Sequence, residues 1–129
     1  MAAKNDPKTS GRFAYGRLER VIHEKARLSI MASLASHRDG LLFADLKELC
    51  ALTDGNLSRH LSVLERSKMI ESLKQQDQSR PQTLCRITAS GRNRYLAYLS
   101  TLERVIQDAT KETKDERTGL PRVLRPSQA

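Results

Sequence analysis

The sequence contains no tryptophan, only two cysteines, and aromatic residues at just 4%. An interior short of large rings must be filled by Leu, Ile, Val, Ala and Met, which argues against a β-sandwich and toward helices. Two cysteines are too few for a disulfide-stapled secreted module, so reduced thiols are expected. No apolar run approaches the roughly 18 residues of a membrane-spanning helix, so an integral membrane protein is excluded and no membrane partner is expected. The opening Met1-Ala2-Ala3-Lys4-Asn5-Asp6-Pro7 has no apolar segment behind its charge, so export is not expected and a cytoplasmic location is. The six glycines form no phosphate-cradling loop, and no Ser/His/Asp, Cys/His or paired-carboxylate arrangement sits in a recognisable motif. An enzyme is therefore the weakest class, and no cofactor is implied. His23, His37, His60, Cys50 and Cys85 have no metal-ligand spacing either, so no metal is expected.

What is present is positive charge. The 129 residues carry 23 Lys and Arg against 15 Asp and Glu, a formal net charge of +8 and a pI near 9.9. That balance favours a polyanionic partner, nucleic acid before an anionic membrane surface. Residues 1–13 contribute +2 through Lys4, Lys8 and Arg12 against Asp6. Residues 110–129 contribute another +2, and every proline except Pro81 lies in these two ends. We therefore expect a flexible basic arm over 1–13, one folded domain over 14–109, and a disordered charged tail over 110–129.

Within the folded span, Leu18, Val21, Ile22, Ala26, Ile30, Met31 and Leu34 recur at three- and four-residue steps, predicting an amphipathic helix with a bend near His23. His37-Arg38-Asp39-Gly40 reads as a turn and Leu41-Leu42 as a very short strand. Phe43, Leu46, Leu49 and Cys50 mark one face of a short second helix, followed by a tight corner at Ala51-Leu52-Thr53. Thr53 or Asp54 can cap a third helix over 54–66, with Leu57, Leu61 and Leu64 toward the core. At about 100° per residue, Asn56, Ser58, Arg59, Ser62, Val63 and Arg66 fall outside that apolar stripe, giving the helix a polar outer face. His60 lies on the core side, where a bond to a backbone group is expected. Two strands, 69–73 and 83–87, flank a polar connector over 74–82. Cys50 and Cys85 are expected to be packing residues. A long last helix starts at Thr88 or Ser90 and runs to about Ala109, apolar on more than one side and in need of a partner.

The order helix, short helix, corner, helix, hairpin, helix is that of a helix-turn-helix followed by a wing. In the stretch Leu52-Thr53-Asp54-Gly55-Asn56-Leu57-Ser58-Arg59-His60-Leu61-Ser62-Val63-Leu64-Glu65, the chain resembles the small winged-helix transcriptional regulators of the MarR and ArsR groups. Leu18 to Glu24 looks like that family's opening helix, Ile87 to Arg92 like the start of its closing helix, and the likeness covers about residues 17–107. It departs where Ala51 stands at a common Gly position, and where Ser67-Lys68 replaces an Ala-Gly, leaving Lys68 in a conformation that Gly adopts more easily. The wing is also Gln-rich, with Arg80 its one arginine.

The resemblance implies a mainly α fold with a small β-hairpin, double-stranded DNA as partner, and a homodimer built on Leu18, Val21, Ile22, Tyr95, Leu99, Leu102 and Ile106. On the third helix, Arg59 is the first candidate for a base edge, a guanidinium fork matching guanine, and Asn56 can pair with adenine. Ser58 and Ser62 suit a base or a phosphate, and Thr53 and Asp54 stand at the helix start, where open N–H groups attract phosphate. Arg80 on the wing, with Lys74 at its base, is a candidate for backbone or minor-groove contact, and Lys68 and Arg92 are weaker phosphate candidates. The resulting reading is a transcriptional repressor on an inverted repeat. Its rivals are a protein interaction module and a non-specific DNA-coating protein; room for a small-molecule effector site stays open between the domain core and the dimer helices, and the sequence identifies no ligand.

Overall fold

In the computed structural model the described residues are 11–16, 18–77 and 80–116. The arm over 1–10 and the tail beyond 116 lie outside them. The chain divides into two compact units, one of residues Glu19–Ala97, the other of Met1–Leu18 with Tyr98–Ala129. In order the elements are α1 (Lys25–Ser36), β1 (Leu41–Leu42), α2 (Phe43–Cys50), α3 (Asp54–Arg66), β2 (Ile70–Asp77), β3 (Arg80–Ile87) and α4 (Ala89–Glu116). They form the expected winged helix-turn-helix, with the strands in one antiparallel sheet ordered β1-β3-β2.

The first helix is shorter than its periodicity predicts. Residues Glu19 to Glu24 form tight turns, with Ile22 and His23 N–H both donating to the Glu19 carbonyl. The helix starts only at Lys25 because Glu24 is extended and its carboxylate accepts from the Arg27 N–H at 2.9 Å, satisfying an open donor of the first turn. Ile22 is still fully buried, so the apolar spacing reported burial correctly and secondary structure incorrectly. The turn after α1 closes with Gly40 N–H on the His37 carbonyl and Gly40 at φ +105. A side chain at Gly40 would meet the Cys85 carbonyl at 2.9 Å, so β1 and β3 can approach only over a glycine.

On α2, Leu46 is fully buried, but Leu49 is 58% exposed and Cys50 only half-buried, contrary to the core positions expected for both. Phe43, Lys47 and Cys50, the half-buried neighbours, all lie to one side of Leu46 around the helix, and Leu49 lies on the other edge. The stripe facing the core is therefore rotated away from Leu49. Ala51 ends the helix in the left-handed region at φ 54, with its N–H on the Glu48 and Lys47 carbonyls.

Strands β2 and β3 absorb most of the stretch read as a connector. They pair continuously from Ile70↔Ile87 to Asp77↔Arg80, leaving only positions 78 and 79 between them. Leu73↔Leu84 and the Glu71–Arg86 ion pair, at 2.7 Å, face each other across this ladder. Polar composition does not preclude a strand once its partner is in register.

The start of α4 packs closely on the turn after α3. Thr88 Oγ1 accepts the Gly91 N–H at 2.9 Å and donates toward the Lys68 and Met69 carbonyls, and Arg94 bridges Glu19 and the Ser67 carbonyl at 2.7 Å each. The helix continues past Ala109 to Glu116, beyond its expected end. In the other unit, Tyr15 donates to the Asp108 carboxylate at 2.6 Å.

Candidate nucleic-acid interface

Helix α3 begins where Thr53 Oγ1 accepts the Asn56 N–H at 3.1 Å. Thr53 thus works as the cap that lets the helix start, and its hydroxyl oxygen already has a donor. Asp54 is exposed, and Lys47 at 2.9 Å partly offsets the carboxylate at the helix start. Leu57, His60, Leu61 and Leu64 are buried. Asn56, Ser58, Arg59 and Ser62 are all exposed, as the helical angle requires. Arg59 Nη2 donates to Asn56 Oδ1 at 3.0 Å, so the two leading base-edge candidates are one hydrogen-bonded pair. Arg59 keeps further N–H donors for a ligand.

Arg66 shares this face and is exposed, although it was not among the candidates. Its angle, about 180° from Leu57, was the available signal. The helix ends at Ser67, and Lys68 follows in the left-handed region at φ 62. There Lys68 N–H reaches the Glu65 carbonyl and Met69 N–H the Leu64 carbonyl, closing the last turn as a glycine commonly does. The conformation expected of Lys68 is the one found, and its side chain is exposed.

Lys74 and Arg80 are both exposed on the hairpin, but the register places them three ladder steps apart. Side chains alternate along a strand, so the two cations lie on opposite faces of the ribbon and do not act as one patch. Arg92, in the first turn of α4, is half-buried. Of the apolar positions assigned to a dimer, Ile22 and Tyr95 are buried within the single chain, Leu18, Val21 and Leu102 are half-buried, and Leu99 and Ile106 are exposed with Leu96. Ile22 and Tyr95 therefore belong to the protomer's own interior.

Behind the outer face, α3 is held by a polar contact. His60 is 5% exposed, and its Nδ1 accepts from Arg27 Nη1 of α1 at 3.2 Å, with Glu24 Oε1 at 3.9 Å. The partner is a guanidinium, not the backbone group expected. Burial pushes the His60 ring below its ordinary value, the Glu24 charge opposes that shift, and Arg59 and Arg27 add to it. Glu24 is itself held below the usual carboxylate range, chiefly by the Arg27 backbone N–H.

A buried-inward, polar-outward helix after a three-residue corner, followed by a hairpin, is the arrangement by which proteins enter a major groove. Residues 26–106 match the family model described as winged helix DNA-binding domain. The chain belongs to that family. A relative, the uncharacterized protein MJ0432 of Methanocaldococcus jannaschii, is 34% identical over 83 residues, which are 62% of this chain and 86% of the relative. Among solved structures, the transcriptional regulator homologue of Pyrococcus horikoshii is 29% identical with a TM-score of 0.69, covering 76% of this chain and 97% of that one. The MepR–DNA complex of Staphylococcus aureus has the same fold at 24% identity and a TM-score of 0.62, over 83% of this chain and 85% of MepR. The winged-helix likeness read from residues 17–107 therefore holds, and the chain is a DNA-binding protein of the transcription-regulator type. Among the described residues no helix is long and apolar enough to cross a membrane, and no three His, Cys, Asp or Glu side chains gather as a metal site.

Proposed function

We propose that this chain is a sequence-specific transcriptional repressor that binds an inverted repeat in duplex DNA as a homodimer. The observation that carries the proposal is the outer face of α3, where Asn56, Ser58, Arg59, Ser62 and Arg66 are exposed opposite a fully packed inner face. One such helix per protomer enters the major groove at half-sites about one DNA turn, roughly 34–36 Å, apart. Lys74 and Arg80 serve backbone or minor-groove contacts from opposite sides of the wing, and Lys68 and Arg92 serve phosphates. Thr53 supports the site as a cap, and Asp54, paired with Lys47, disfavours phosphate directly beside it.

Dimerisation through α4 is supported by Leu96, Leu99 and Ile106, large apolar side chains exposed within about an 80° arc of one helix. A protein occupying two successive grooves occludes the duplex, and repression is the simplest outcome of that occlusion. A cytoplasmic location goes with that partner.

Fragments selected from a random duplex pool test the reading. They should share a two-fold-symmetric motif, light scattering should give a dimer, and Arg59→Ala should weaken binding by about 1–3 kcal/mol, relaxing preference at one position of each half-site. Fragments with no shared motif, or an Arg59→Ala variant that binds undiminished, would overturn it.

A further inference from the structure

The polar contact behind α3 does more than fill a gap in the core. An arginine can only donate, so the Arg27–His60 bond requires Nδ1 to be a bare acceptor and the ring's proton to sit on Nε2. Arg27 is not free to swing away when this arrangement changes. Its Nε donates to the Val21 carbonyl at 2.6 Å, and its backbone N–H is fixed on Glu24. Adding a proton at Nδ1 would therefore set two donors and two positive charges against each other at a buried ring. The Glu24 carboxylate, which also caps α1, stands at 3.9 Å as an acceptor for the new N–H. The charged groups bearing on the ring are thus Arg27 and Glu24 from α1 and its cap, and Arg59 from α3 itself.

We propose that His60 and Arg27 are positioning residues of the DNA-reading helix, and that a proton from solvent transfers His60 from Arg27 to Glu24, loosening α3 from α1 and weakening DNA binding in mild acid. This rests on the DNA-binding reading above. Nothing covalent changes: one proton is taken up at Nδ1, one hydrogen bond from Arg27 is lost, and one to Glu24 forms. Because the ring lies below its ordinary value in the folded chain, its contribution is present above that ordinary value and is lost as pH falls below it. The loss approaches at most about tenfold in the equilibrium per pH unit.

Two measurements at constant ionic strength test this. The first, needing no DNA, follows the three histidine rings by NMR from about pH 8 to 5, with amide exchange over Leu57 to Leu64. His60 should titrate below the ordinary imidazole value, and exchange along α3 should quicken as it does. The second measures affinity by fluorescence anisotropy for a labelled duplex recovered from the random pool, comparing each protein with itself at about pH 7.5 and 5.5. The wild type should lose at least about threefold, within the tenfold-per-unit limit, and His60→Asn, which keeps an acceptor near Nδ1 but does not titrate, less than about twofold. If His60→Asn does not fold, Arg27→Gln replaces it, and His60 should then titrate higher with a smaller acid loss. Parallel losses in wild type and variant, a gain in acid for the wild type, or His60 titrating at or above the ordinary imidazole value overturns the proposal. If no duplex binds at any pH, the DNA reading fails with it, while the first measurement still decides whether the ring exchanges partners.

Discussion

Gly91→Ala places a methyl group at the closest approach among the described glycines. Gly91 is buried in the first turn of α4, and a Cβ there would overlap the Met69 carbonyl oxygen while lying 2.7 Å from the Met69 carbonyl carbon and 2.8 Å from its Cα. The obstacle is backbone, and that backbone is fixed. The Met69 carbonyl accepts from the Thr88 N–H at 3.0 Å, and Met69 N–H is bonded to the Leu64 carbonyl. Relief requires α4 to shift away from the turn after α3, which strains the Arg94–Ser67 and Thr88–Lys68 bonds as well. Overpacking of this kind costs about 1–3 kcal/mol or more, and the better helix propensity of alanine returns at most about 1 kcal/mol. With the obstacle being fixed backbone, the cost lies toward the upper end of that range, and the net loss of about 2 kcal/mol corresponds to a fall in Tm of about 8 °C for a domain of this size. Gly55→Ala supplies the control: Gly55 is exposed in α3 with nothing within 4 Å of an added Cβ, so it should gain about 0.5–1 kcal/mol. Thermal unfolding by circular dichroism reads both. A Gly91→Ala protein that melts at or above wild type would show that propensity outweighs packing at this joint, and would refute the close approach.

Three further outcomes follow from local geometry. Thr53→Ala removes the acceptor of the Asn56 N–H and should cost about 1 kcal/mol in chemical denaturation, whereas Thr53→Ser should keep most of it. Ala51→Gly relieves a left-handed alanine that is exposed, and despite the added freedom of the unfolded chain should raise stability by up to about 1 kcal/mol; a loss would mean that the corner holds Ala51 for its methyl group. Cys85 is fully buried and its thiol is pushed up by that burial, so in the native protein it should resist alkylation near neutral pH while the half-buried Cys50 reacts first; equal rates would contradict the packing of β3.

The parts of the fold legible in the sequence were those with a single strong local cause. The α3 boundaries follow from a capping threonine and a leucine stripe, and the end of the corner from its brevity. The lead-in to α1 was misread because apolar spacing from Leu18 reports which side is buried, and a turn can bury Ile22 as well as a helix can. The wing strands were read too short because their outer residues, Lys74 to Gln76, have the composition of a loop and become strand only through pairing with Thr83 to Pro81. At the candidate interface, helical angle alone gave the exposure of Asn56, Ser58, Arg59 and Ser62. It could not give the partner of His60, because Arg27 is 33 residues away in sequence and meets it only when α1 and α3 pack. Nor could it separate Ile22 and Tyr95 from the positions that remain outside, since periodicity does not say which apolar face the chain covers for itself.

The two left-handed residues, Ala51 before α3 and Lys68 after it, have a consequence for how such a protein can change. Ala51 ends α2 and Lys68 closes the turn after Ser67, the Thr53 cap starts α3 between them, and the buried set of Leu57, His60, Leu61 and Leu64 fixes its rotation, with no member in common with the outward set. Substitutions at Asn56, Ser58, Arg59 and Ser62 therefore alter what is presented without disturbing what is packed, whereas inserting or deleting one residue within α3 turns the side chains beyond it by about 100° against those before it. Point mutation can vary this outward face in small steps, and changes in length cannot.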